Sequence, residues 1–124
     1  MMEASCVKFI DKLMRTSDLL QNIGEKTFEY WEPDQPPVTI LFAAIGKELV
    51  RQFYSIGDKT REIAFQFIEE GMNSNDNSLK TAVATGIIEA IVSESARNEG
   101  LWPRIELQLG DTSKRYAENW RKNL

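Results

Sequence analysis

Histidine is absent from the 124 residues, and with it go the usual general base near neutral pH, the usual partner of a Ser or Cys nucleophile and the commonest transition-metal ligand. Catalytic triads and zinc sites are thereby excluded. A single cysteine, Cys6, leaves no disulfide framework and reads as a small buried hydrophobe on the first helix. Seven glycines and four prolines are too few for a collagenous or disordered chain. No apolar run is long enough to span a membrane. The first residues, MMEASCVKFIDKLM, mix Glu3 and Asp11 with basic residues and lack the apolar stretch of a signal peptide, so a cytoplasmic location is expected. The EF-hand loop, the dinucleotide-binding glycine fingerprint and the P-loop are all missing. No cofactor, metal site or enzymatic activity is therefore expected; chemistry by carboxylates alone is the one catalytic option the composition leaves.

What is present is a composition 42% hydrophobic and 27% charged, on a chain of one domain's length that can hide about two thirds of its unfolded surface. The net charge of −4 is unevenly spread: residues 25–99 carry thirteen acids against seven bases, whereas 1–24 are balanced and 100–124 are slightly basic. An acidic middle repels phosphate backbones and favours basic partners, so nucleic-acid binding is not expected.

Hydrophobic residues recur at helical spacing nearly throughout. Val7, Ile10, Leu13 and Met14 predict a helix over 5–15, and Thr16 or Ser17 caps a second that runs through Leu19, Leu20, Ile23, Phe28 and Trp31, weakened at Gly24. The segment Glu32-Pro33-Asp34-Gln35-Pro36-Pro37 is the clearest loop. Val38, Leu41, Phe42, Ile45, Leu49, Phe53 and Tyr54 then form a third helix, with Gly57 as its left-handed terminus. Asp58 or Thr60 caps a fourth, with Ile63, Ala64, Phe67 and Ile68 inward, closing at Gly71. Leu79, Ala82, Val83, Gly86, Ile87, Ala90 and Ile91 trace a fifth, capped by Asn77 or Ser78 and expected at the centre because its small residues allow close approach. A sixth carries Leu101, Trp102, Ile105, Leu107 and Leu109, and a seventh starts at Ser113 with Tyr116, Ala117 and Trp120. The expectation is a single all-α domain over residues 1–124, a bundle of six or seven short antiparallel helices or a HEAT-like stack of helical hairpins. Segments 38–71 and 78–110 are similar in length but do not align as a repeat.

Three groups of residues stand out. Glu89, between Ile88 and Ala90 on the most apolar helix, reads as a structural carboxylate that ties two helices together. Tyr30 and Trp31 precede the proline loop among Glu29, Glu32 and Asp34, a setting that suits core aromatics or interface anchors in an acidic rim. Glu69 and Glu70, with Asp76 after them, sit at a helix C-terminus against the dipole preference, at a cost of about 0.3 to 1 kcal/mol that a solvated acidic surface or a specific contact would have to offset.

The order Val38-Thr39-Ile40-Leu41-Phe42-Ala43 after a Trp and proline loop, Ile68-Glu69-Glu70-Gly71 before a polar turn, Val83-Ala84-Thr85-Gly86-Ile87-Ile88-Glu89, Leu109-Gly110-x-x-Ser113 and a late Trp120 resembles a group of small all-helical bacterial proteins. Members of that group look like immunity proteins of polymorphic toxin and contact-dependent growth inhibition systems. Asp111 stands where members tend to carry proline. The resemblance implies a non-catalytic inhibitor that binds a cognate toxin domain, a basic nuclease being the expected partner of an acidic surface. Glu29, Tyr30, Trp31, Glu32, Asp34, Glu69, Glu70 and Asp76 are then the candidate toxin contacts. The rival readings are a helical adaptor, which needs an exposed apolar groove or patch, and a carboxylate enzyme, which needs converging acids. The sequence leaves the oligomeric state open.

Overall fold

Apolar side chains three and four apart give each helix one inward stripe, and among the described residues seven such helices cover the same core. The computed structural model describes residues 2–98 and 100–124, and 75% of the chain is helical, with no strand among the described residues. The fold is all-α. In order come α1 (Ala4–Met14), α2 (Asp18–Trp31), α3 (Val38–Arg51), α4 (Asp58–Met72), α5 (Asn77–Ala82), a π-helical stretch (Val83–Ile88), α6 (Glu89–Ser95), α7 (Trp102–Gln108) and α8 (Asp111–Arg121). The stretch from α5 through the π segment to α6 is one unbroken helix, the expected fifth.

Local chemistry sets the boundaries. Ser17 caps α2 by accepting from the Leu19 N–H at 3.1 Å, with Asp18 in the first turn where the helix dipole favours an acid. The proline loop follows, its Glu32–Pro33 bond cis, and turns α3 back along α2. Two boundaries differ from the sequence pattern. The apolar stripe predicts α3 as far as Tyr54, yet the helix ends at Arg51; Phe53 and Ile56 are buried from an irregular turn instead. Arg61 holds that turn, donating to the Phe53 carbonyl at 2.6 Å and stacking over the Phe53 ring at 4.5 Å. Gly57, at φ 85°, therefore leads into α4 rather than closing α3. The inward face of α4 is also shifted: Phe65 is buried and meets Phe53 edge-on, while Ile63 is half-buried. Leu107 and Tyr54, counted on apolar stripes, are exposed. Residues at the ends of short helices keep the period without having a neighbour to cover them.

The expected fifth helix lies at the centre, with α3 packed along its π segment and α6. Five of the six residues in Val83–Ile88 are buried, all but Thr85. Here the Glu89 N–H bonds the Ala84 carbonyl five residues back, and the stretch is covered on several sides because α3, α4 and α8 all pack against it. Thr85 turns its hydroxyl back onto the Thr81 carbonyl at 2.8 Å. Glycine makes the crossing close: a Cβ on Gly46 would lie 2.7 Å from the Ile87 carbonyl oxygen, and one on Gly86 would lie 2.5 Å from Phe42 Cβ. Buried residues from all of these helices merge into one cluster, with Phe42, Leu13, Ile45, Ile68, Ile87 and Ile91 among its fully covered side chains.

In an exposed helix, Gly→Ala is stabilising by about 1 kcal/mol. For Gly46→Ala the opposite sign is expected: the added methyl meets backbone rather than a movable side chain, and the overpacking should cost about 1 to 3 kcal/mol. Urea unfolding with an unchanged m-value measures it, and a variant more stable than the parent would refute the close crossing.

Candidate binding surfaces and their carboxylates

The acidic residues divide sharply by what surrounds them. Glu69, on the last turn of α4, faces the start of α8 across the bundle. Gly110, at the N-cap position of α8, offers no side chain, and Glu69 takes over that role from another helix. Its carboxylate accepts from the Thr112 N–H at 3.0 Å, the Ser113 N–H at 2.9 Å and the Ser113 hydroxyl at 2.7 Å. Asn73 adds a fourth donor at 3.1 Å and in turn accepts from the Thr112 hydroxyl at 2.7 Å. These are the free N–H groups that an N-cap satisfies, and the positive end of α8 favours a negative charge there. The absence of a side chain at Gly110 is part of the arrangement, because a Cβ at that position would overlap the Glu69 carboxyl group. Burial pushes the Glu69 carboxyl up, but the donors from Ser113, Thr112 and Asn73 together outweigh it and hold the group below its ordinary value.

Glu69, expected as a surface contact, thus has its oxygens committed inside the molecule. Asp76 is likewise engaged: it is the N-cap of α5, accepting from the Leu79 N–H at 3.2 Å, one residue ahead of the Asn77 or Ser78 expected for that role. Of the second acidic group only Glu70 is exposed, loosely paired with Lys12 at 3.5 Å. Glu89 is half-buried on α6 and accepts from the Tyr116 hydroxyl of α8 at 2.6 Å. Burial, then the hydrogen bond to Glu89 and its charge, push the Tyr116 hydroxyl up to about 12. Cys6 is buried, and that burial raises its thiol.

The first acidic group is arranged differently. Glu29, Glu32 and Asp34 are all exposed at the corner between α2 and the proline loop, and none has an ion-pair partner among the described residues. Tyr30 stands between them with 84% of its surface exposed, its ring edge-on to half-buried Trp31 at 6.2 Å. The loop beneath is fixed by the Asp34 N–H to the Trp31 carbonyl at 2.9 Å.

Beside this corner, α2 and α3 enclose an open groove of about 470 Å³. Tyr30, Trp31 and Ile40 line its loop end, and Lys26, Lys47 and Arg51 line it farther along together with Ile23, Thr27, Ala43 and Ala44; no acid lines it. The acidic total of the chain hid this basic groove. Its signal was present as Lys26, Tyr30 and, on α3, Ile40, Lys47 and Arg51, each set at turn spacing, but only the pairing of the two helices makes one feature of two stripes. Among the described residues no three Cys, Asp or Glu side chains gather where a metal ion could be held. No described helix is long and apolar enough to cross a membrane.

Two titrations follow. A carboxyl held below its ordinary 4.5 contributes stability that is complete above that pH and lost as pH falls through the lower folded value. Glu69→Gln should therefore cost about 1 to 3 kcal/mol at pH 7, and the gap to the parent protein should narrow as pH falls below 4.5 in urea titrations. A pH-independent gap would remove the charge from the explanation. For Tyr116 the raised value favours the neutral form, so the contribution is present below pH 10 and lost as pH rises toward about 12. Tyr116→Phe should delete the highest step of the absorbance titration of tyrosinate, and loss of a lower step instead would contradict the Glu89 contact.

Compared with known protein families, with curated proteins and with solved structures, the chain matches none.

Proposed function

We propose that this chain is an immunity protein, a non-catalytic inhibitor that binds a cognate bacterial toxin domain, a basic nuclease being the partner its charge suits. The observation that carries the reading is the exposed corner of Tyr30 with Glu29, Glu32 and Asp34. An aromatic side chain left almost wholly in water, surrounded by carboxylates free of internal partners and mounted on a helix end, is the arrangement of an interface anchor in a charged rim. The acids speed encounter with a basic surface and pair across it once bound, and Tyr30 supplies apolar area. Glu70 remains from the second acidic group as a rim contact, whereas Glu69 and Asp76 act within the fold. The resemblance carried by residues 28–120 points to the same function.

The second reading is a helical adaptor. The α2–α3 groove favours it, being an accessible cleft with apolar residues at its loop end.

Growth protection tests the first reading. Cells producing a toxin domain encoded beside this gene should survive only when this chain is present. Reversal of Glu29, Glu32 and Asp34 to Lys should slow association in low salt by about tenfold and weaken rescue, with the helical circular dichroism unchanged. Full rescue by the triple reversal would move the contact elsewhere, and failure of any neighbouring toxin to bind would leave the adaptor reading first.

A further inference from the structure

The α2–α3 groove has a composition at odds with the rest of the molecule. Residues 25–99 carry only seven bases, and three of them, Lys26, Lys47 and Arg51, line this one groove without an acid among the lining residues. Lys26 and Lys47 have no ion-pair partner among the described residues; Arg51 reaches Glu94 at 3.2 Å yet keeps about half of its side chain exposed. At the other end, Tyr30 at 84% exposure and Ile40 at 46% leave apolar surface uncovered, next to half-buried Trp31. The lining residues of α2 run from Ile23 to Trp31, two helical turns and roughly 12 Å, with the α3 set facing them.

Two adjacent helices that leave a furrow with an apolar end and a cationic end are two thirds of a three-helix packing unit. We infer that the groove docks an acidic amphipathic helix of a protein partner, its apolar residues against Tyr30, Trp31 and Ile40 and its carboxylates against Lys26, Lys47 and Arg51. Charge complementarity selects this occupant. A basic helix would bring like charges onto three cations, and an uncharged one would leave Lys26 and Lys47 desolvated without partners. Turn-spaced apolar anchors are how helices seat in such grooves, with the flanking charges fixing register. The acidic corner at Glu29, Glu32 and Asp34 selects a basic surface, so the groove and the corner select different chemistry although Tyr30 borders both.

The probe is a capped, fluorescein-labelled 16-residue peptide of Ala, Leu and Glu, with Leu at helical positions i, i+4, i+7 and i+11 and Glu flanking them; a twin carries Lys for every Glu. Fluorescence anisotropy with the full chain should show saturable binding of the acidic peptide, at least tenfold tighter than its twin and weakened by salt. Lys26→Glu with Lys47→Glu should reduce affinity at least tenfold, and Ile40→Asp should do so without altering the charged end. Amide shifts of the parent protein on titration should be confined to α2 and α3, a readout independent of whether any variant folds. Equal binding of both peptides, no saturable binding, or shifts elsewhere would overturn the inference. So would self-association in sedimentation that Lys26→Glu abolishes, since a second copy would then be the occupant. None of these readouts requires a toxin, so failure of the growth-protection test leaves them intact.

Discussion

Everything else in the molecule is arranged around one close contact, the crossing of α3 over the π segment. The Phe42 side chain sits on Gly86, and Gly46 sits against the Ile87 carbonyl, where two backbones meet with no side chain between them. Helices that approach this closely exclude water along the whole contact and fix both partners relative to one another. Helices on several sides of the π segment bury five of its six residues. With α3 fixed against the central helix, α2 has one flank to pack on, and the α2–α3 groove is the part of that arrangement that no further helix covers.

A second constraint closes the far side of the bundle. The N-terminus of α8 has amide donors with no partner in its own helix and a glycine where a capping side chain would sit, while the last turn of α4 carries a glutamate whose charge is unfavourable for its own helix. Each defect answers the other. Glu69 gives α8 the cap it lacks, and the four donors hold the carboxylate charged despite partial burial. Glu89 and Tyr116 make a second, shorter tie between α6 and α8. Acids in this chain are therefore of two kinds, those bonded into the fold and those left at the α2 corner, and net charge alone does not separate them.

The surfaces left over are of opposite sign and lie side by side. Glu29, Glu32 and Asp34 crowd one side of the α2 terminus, while Lys26, Lys47 and Arg51 line the groove on the other. Tyr30 belongs to both, exposed at the corner and lining the groove's loop end. Neighbouring patches of opposite sign over a shared aromatic favour a partner matched to both, and penalise one that matches neither.

The sequence by itself determined the all-α class, most helix positions, the proline loop, the Ser17 cap and the centrality of the segment around Gly86, because apolar spacing, capping hydroxyls and small residues are local signals. It also marked Glu69 as anomalous without saying why. What only the tertiary structure decided were chiefly relations between segments far apart in the chain, that Glu69 caps a helix beginning 42 residues later and that Lys26 and Lys47 share a groove, together with two local choices, Asp76 as the cap of α5 and Phe53 leaving its helix to be buried from a turn. A carboxylate at a helix end looks the same in sequence whether water or another helix satisfies it. Which of the two does so depends on where the chain returns, and that is set by packing of the whole core rather than by any window of residues.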